Sequence, residues 1–167
     1  PSVPAAGPIR RAFRRNRYRL LAAALSIAAG LVVFAIAHEL FPYHSSNHDE
    51  GVYLQQASML LEGQLHLRPG SEPLRGAVRP WFFVESAAGL YPKYTPVPAA
   101  MFALGKLAGG FRLALVAIAA GNVGLAYAVV AAAFDRRTGL LAAAVMAGAP
   151  LFLFTSSVFL PYAPTTA

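Results

Sequence analysis

The chain from Leu20 to Phe41 reads LLAAALSIAAGLVVFAIAHELF, with its only ionisable residues, His38 and Glu39, at the far end. As a helix these 22 residues extend about 33 Å, enough to cross a hydrocarbon core of about 30 Å. The stretch is too long for the apolar region of an ordinary signal peptide, and no small-residue cleavage pattern follows it. It is therefore expected to stay in the membrane as an anchor. Immediately before it stand Arg10, Arg11, Arg14, Arg15, Arg17 and Arg19, with no acidic residue among the first 19. A basic cluster directly before an apolar span stays in the cytoplasm, which predicts a cytoplasmic N-terminus. The tail 1–19, rich in Pro, Ala and Arg, is expected to be mobile or to lie on the membrane.

The rest of the chain repeats this apolar character. Hydrophobic residues make up 57% of the 167 and charged residues 13%, with a mean hydropathy of +0.52. A soluble domain rarely carries so little charge, so the expected class is a polytopic membrane protein. Phe111–Phe134 and Leu140–Leu160 read as further spans, rich in Ala and Gly that allow close helix packing in lipid. Pro96–Gly110 is apolar but short and contains Lys106. The expected fold is all-α, with about four transmembrane helices at 20–41, 96–110, 111–134 and 140–160. A first extracytoplasmic loop, 42–95, is expected to carry short juxtamembrane helices. Four crossings put Arg136 and Arg137 outside, against the positive-inside rule; a re-entrant 96–110 would put them inside. The net charge of +7 resides in the tail. The loop has four basic and five acidic residues, a balance of −1, so no nucleic-acid partner is expected. The absence of cysteine excludes disulfides and thiolate metal sites. The chain begins with Pro and stops soon after an apolar span, as expected of the N-terminal portion of a longer protein.

The loop holds the candidate chemistry. Asn47-His48-Asp49-Glu50 places two adjacent carboxylates just past the membrane exit. Ser46 or Asn47 can cap a helix whose first turn contains Asp49 and Glu50. Val52, Tyr53, Gln56, Ala57, Leu60 and Leu61 give that helix one apolar face, and Gly63 is a plausible stop. Carboxylates in a first turn favour the helix dipole by about 0.3–1 kcal/mol. Capping alone accounts for one of the two acidic residues better than for both. One of them can instead act as a general base, with a pKa raised by apolar walls. Tyr91-Pro92-Lys93-Tyr94 follows before the next apolar segment. Lys93 suits a phosphate at headgroup level, and Arg68, Arg75 and Arg79 are further phosphate candidates. Tyr53, Tyr91 and Tyr94 can contact a sugar or lipid. His44 and His48 have helical ligand spacing. His48, Asp49 and Glu50 are weak candidates for a metal, a divalent cation such as Mg or Mn being the better fit. Trp81-Phe82-Phe83-Val84 is an aromatic patch of interfacial type.

The order of basic tail, span, Asp49-Glu50, helix ending near Leu61-Glu62-Gly63, arginine-containing loop and Tyr91-Pro92-Lys93 resembles membrane glycosyltransferases of the GT-C type. The protein O-mannosyltransferase and aminoarabinose-transferase group is the most similar. Residues 48–110 carry most of the resemblance, with Asp135-Arg136-Arg137 and Gly139-Leu140-Leu141-Ala142 adding to it. The resemblance implies Asp49 as base, Glu50 as its partner and Lys93 as a contact to the lipid-linked phosphate. It implies a polyprenyl- or dolichyl-phosphate sugar as donor and inverting transfer to a hydroxyl of a protein, glycan or lipid at the plasma membrane. It also implies four spans with 135–139 outside. A typical member is about three times longer, so this stretch alone is expected to be inactive. A lipid-linked-sugar transporter and a non-catalytic membrane subunit are the other classes. The near absence of charge in spans 1, 3 and 4 weighs against transport.

Overall fold

The computed structural model describes residues 8–43, 45, 47–67, 82–87 and 89–161. It is mostly helical. Helix α1 (Pro8–Glu39) is continuous from the basic tail to the outer end of the first apolar segment. From Pro8 the tail is helical and continuous with the span. Helices α2 (His48–Leu61), α3 (Pro96–Leu107), α4 (Phe111–Ala133), α5 (Arg136–Gly148) and α6 (Pro150–Ser156) follow. The expected all-α fold has one exception, an antiparallel hairpin of β1 (Phe83–Ser86) and β2 (Gly89–Pro92), in register from Phe83 opposite Pro92 to Ser86 opposite Gly89.

Among the described residues two helical stretches are long and apolar enough to cross a membrane, Asn16–Glu39 and Phe111–Ala133. A third crossing is available if α5 and α6 count as one span, although they meet at 64°. The expected single span 140–160 is thus a bent pair. Pro150 starts α6; it has no N–H to continue the ladder and drives the residue before it out of helical geometry. Ala149 accordingly has ψ 114°.

Helices α1 and α4 pack antiparallel, and contacts at both ends fix this. At one end Arg137 Nε, just past α4, donates to Tyr18 Oη at 3.0 Å. At the other, Arg112 Nη2 donates to the carbonyl of Phe41 at 3.2 Å and to that of Pro42. Between them α1 presents Ala22, Ala29, Val33 and Ala37, all buried, at spacings that keep one helical face towards the partner. Gly30 permits a close approach to α4: a Cβ there would lie 3.0 Å from Val116 Cγ1 and 3.2 Å from its carbonyl oxygen. The opposite face of α1, with Ile27, Leu31 and Phe34, is exposed, as suits a lipid-facing surface.

Among the described residues the helices give two crossings, or three with the bent pair, against the four expected. Helix α3 has 12 residues, about 18 Å, too short for the hydrocarbon core. Its start is tied to α2 and its end leads directly into α4 beside Phe41, so it enters and leaves at the same end of α1. The 135–139 turn falls at the Tyr18 end of α1, where Arg137 meets Tyr18. Gly105 permits the α3–α4 approach, since a Cβ would meet Ala114 Cβ at 2.7 Å. The core at this end joins Val33, Ala37, Tyr53, Ala57, Phe102, Leu115 and Phe159, so α2 and α3 sit as a cap on the crossing helices.

Candidate functional site

Asn47 is the N-cap of α2, its side chain accepting from the Asp49 N–H at 3.1 Å. Capping fixes the first turn, so Asp49 and Glu50 leave the helix in directions about 100° apart. The tertiary structure puts them to different uses. Asp49 is half-buried and its Oδ1 accepts from the Tyr94 phenol at 2.9 Å. Glu50 is fully buried. Its Oε1 accepts from the N–H of Ser45 at 3.1 Å and from the Ser45 hydroxyl, and its Oε2 from the N–H of Phe159 at 2.9 Å. Glu50 thus ties the entry to α2 to the segment after α6, across 109 residues of sequence, and is turned away from solvent.

Tyr94 organises the Asp49 side. Burial, the hydrogen bond to Asp49 and the negative charge of that carboxylate push its phenol up to about 12, so it remains a proton donor to Asp49 at any physiological pH. Its ring stacks on Tyr53, centroids 4.9 Å apart, and lies 5.8 Å from Phe82. Its carbonyl accepts from Gln56 Nε2 at 3.3 Å. Tyr53 in turn meets Phe102 edge-on at 6.5 Å. Asp49, Tyr53 and Tyr94 therefore form one cluster, built from α2 and the segment that leads into α3.

Lys93 is exposed. Its N–H donates to the Phe82 carbonyl at 2.8 Å and its Nζ lies 5.8 Å from the centre of the Phe82 ring. Phe82 has φ 63°, a conformation that a bulky residue adopts only under the constraint of its surroundings. It places one aromatic ring against both Lys93 and Tyr94. Tyr91 lies apart from Asp49, stacked on His66 at 5.1 Å. Beside it β2 is crossed closely by Leu67, which exchanges both backbone hydrogen bonds with Leu90. Gly89 makes room for that crossing, because a Cβ there would lie 2.1 Å from the Leu67 carbonyl oxygen.

Arg68, Arg75, Arg79, His44, Ser46 and Trp81 lie outside the described residues. Among the described residues no three His, Asp or Glu side chains come together as a metal site. His48 is exposed, while Glu50 points inward with its oxygens committed to N–H and O–H donors. The set His48, Asp49 and Glu50 does not fit Mg or Mn.

Sequence reasoning missed Arg112, the cation that joins α4 to the end of α1. A signal was present: an arginine in the first turn of a span opposes the helix dipole and so calls for acceptors elsewhere, which the last carbonyls of the preceding span can supply. The contact between Glu50 and Phe159 had no sequence signal. Comparisons with family models, with curated proteins and with solved structures found no match.

Proposed function

We propose that this chain carries the acid–base site of a membrane glycosyltransferase that moves a sugar from a polyprenyl phosphate to a hydroxyl acceptor, with inversion. The observation that carries the reading is the Asp49 carboxylate, half-buried and held at 2.9 Å by the Tyr94 phenol, with Lys93 next to Tyr94 in the chain. A general base must be fixed in direction and partly shielded from water, yet reachable. Tyr94 fixes Asp49, the aromatic rings of Tyr53, Tyr94 and Phe82 shield it, and Glu50 anchors the helix that bears it.

In this reading the acceptor hydroxyl gives its proton to Asp49 as its oxygen attacks the anomeric carbon. The bond from that carbon to the phosphate oxygen breaks on the opposite face. The phosphate leaves with the electron pair, and Lys93, exposed at the same end of the molecule, stabilises the charge that develops. The basic tail and the 135–139 turn face the cytoplasm. The α2 helix and the hairpin face the outside of the plasma membrane, where membrane lipid delivers the donor.

Binding of polyprenyl monophosphate to the chain in nanodiscs tests the reading, with neutral polyprenol as control. Lys93→Gln is expected to weaken binding of the phosphate about tenfold, the value of about 1.4 kcal/mol, and to leave polyprenol unaffected. In native membranes Asp49→Asn is expected to abolish sugar transfer without reducing donor binding. Equal affinity for polyprenyl phosphate and polyprenol would remove the donor assignment. Full transfer by Asp49→Asn would remove Asp49 as the base.

A further inference from the structure

One cavity lies apart from Asp49. It has a volume of about 940 Å³ and opens where α1 ends and α4 begins, lined among others by Phe34, His38, Leu54, Gly110, Arg112 and Phe159. Neither Asp49, Lys93 nor Tyr94 lines it. Phe159 forms part of its wall while the Phe159 N–H holds Glu50.

Three features describe what the cavity would take. Its walls are mainly apolar and lie at the shared end of α1 and α4. Among the described residues its lining includes Arg112 and His38 but no Asp or Glu. Among the described residues Arg112 has no carboxylate partner: its Nη2 is spent on two backbone carbonyls, and its enclosed Nε–H has no acceptor. The third feature is the start of α4. Its N-cap is Gly110, which offers no side-chain acceptor to the first N–H groups, and a Cβ at Gly110 would meet nothing within 4 Å. A cation, a positive helix end and an apolar chamber thus face the same space.

We infer that this cavity binds one bilayer phospholipid with an anionic headgroup, its phosphate at Arg112 and the start of α4 and its acyl chains along Phe34, Leu113 and Phe159. The site is distinct from the donor site proposed at Lys93 and does not rest on that assignment. The charge selects phosphatidylglycerol over zwitterionic phosphatidylcholine.

Native mass spectrometry of the chain in mild detergent tests this, with phosphatidylglycerol and phosphatidylcholine of equal chain length added in equal amounts. One phosphatidylglycerol per chain is expected to survive activation that strips phosphatidylcholine, with a preference of at least fivefold. Arg112→Gln is expected to bring the preference close to one, and Arg112→Lys to retain most of it. Gly110→Leu is expected to abolish retention of both lipids. It does so by filling the open space, and its backbone φ of 168° accepts a side chain. Should Arg112→Gln fail to fold, the lysine and leucine variants decide. A preference near one in the unaltered chain, or unchanged retention in Gly110→Leu, would overturn the inference. So would displacement of the phospholipid by equimolar undecaprenyl phosphate, which would assign the cavity to an isoprenoid chain.

Discussion

Replacing Glu50 by Ala should destabilise the whole outer cap, because one buried carboxylate holds two distant segments. Hydrogen bonds to a charged group contribute about 1.5–3 kcal/mol each, and a buried donor left without a partner costs about 1–3 kcal/mol. Glu50 receives the N–H of Phe159, a residue only 5% exposed, and two donors from Ser45. Water can replace Glu50 at half-buried Ser45 but reaches Phe159 poorly. The relief from no longer burying a charge offsets part of the loss. The expected net cost of Glu50→Ala is about 2–4 kcal/mol. Glu50→Gln keeps the volume but turns an NH₂ group towards one of the two sets of donors, at about 1–3 kcal/mol. Reversible unfolding in mixed micelles measures the global term. Hydrogen exchange over 157–161 measures the local one, and 2 kcal/mol corresponds to exchange about 30-fold faster at the Phe159 amide. A cost below about 0.5 kcal/mol for the alanine variant, with unchanged exchange at Phe159, would show that Glu50 does not hold the cap.

Other expectations follow from the same contacts. Tyr94 has a raised phenol, so its contribution to stability is present below the ordinary tyrosine value of 10.0 and is lost as pH rises through about 12. The phenolate absorbance difference between the natural chain and Tyr94→Phe should therefore show a step near 12, and a step near 10 would mean that Tyr94 is neither buried nor bonded to Asp49. Gly105→Val should cost about 1–3 kcal/mol by forcing α3 off Ala114, whereas Gly121→Ala, with open space around it, should be close to neutral in the same unfolding assay. Asp135 caps α5 by accepting from the N–H groups of Arg137 and Thr138, which hold its carboxyl below the usual range. Asp135→Ala should lower the melting temperature near neutral pH, and the difference should vanish as acid protonates the natural carboxylate. Because the chain has no cysteine, single-cysteine variants report sidedness without background. Ser2→Cys and Thr138→Cys should be labelled from one side of sealed vesicles and Glu85→Cys from the other; labelling of Thr138→Cys together with Glu85→Cys would restore the fourth span.

The sequence by itself determined what depends on local composition and periodicity. The apolar run from Leu20 dictates a membrane-crossing helix because its backbone groups must be satisfied within the segment. Asn47 followed by two carboxylates dictates a helix start, and α2 begins at His48 and ends at Leu61, just before Gly63, which adopts φ 70°. Tyr94 and Lys93 stand out in the sequence because they punctuate the entry to an apolar segment, but that Tyr94 packs on Tyr53 and Tyr91 on His66 is decided only by the fold. The number of crossings was not legible, since hydropathy measures what a segment can tolerate and not where its ends go. Only the pairing of Arg137 with Tyr18 and of Arg112 with Phe41 shows that α3 returns to the end it came from. The division of labour between Asp49 and Glu50 was equally hidden. Two adjacent carboxylates are chemically alike in sequence. Helical geometry sends them about 100° apart, and it is the neighbours supplied from residues 94 and 159 that hold one beside a phenol and seal the other inside.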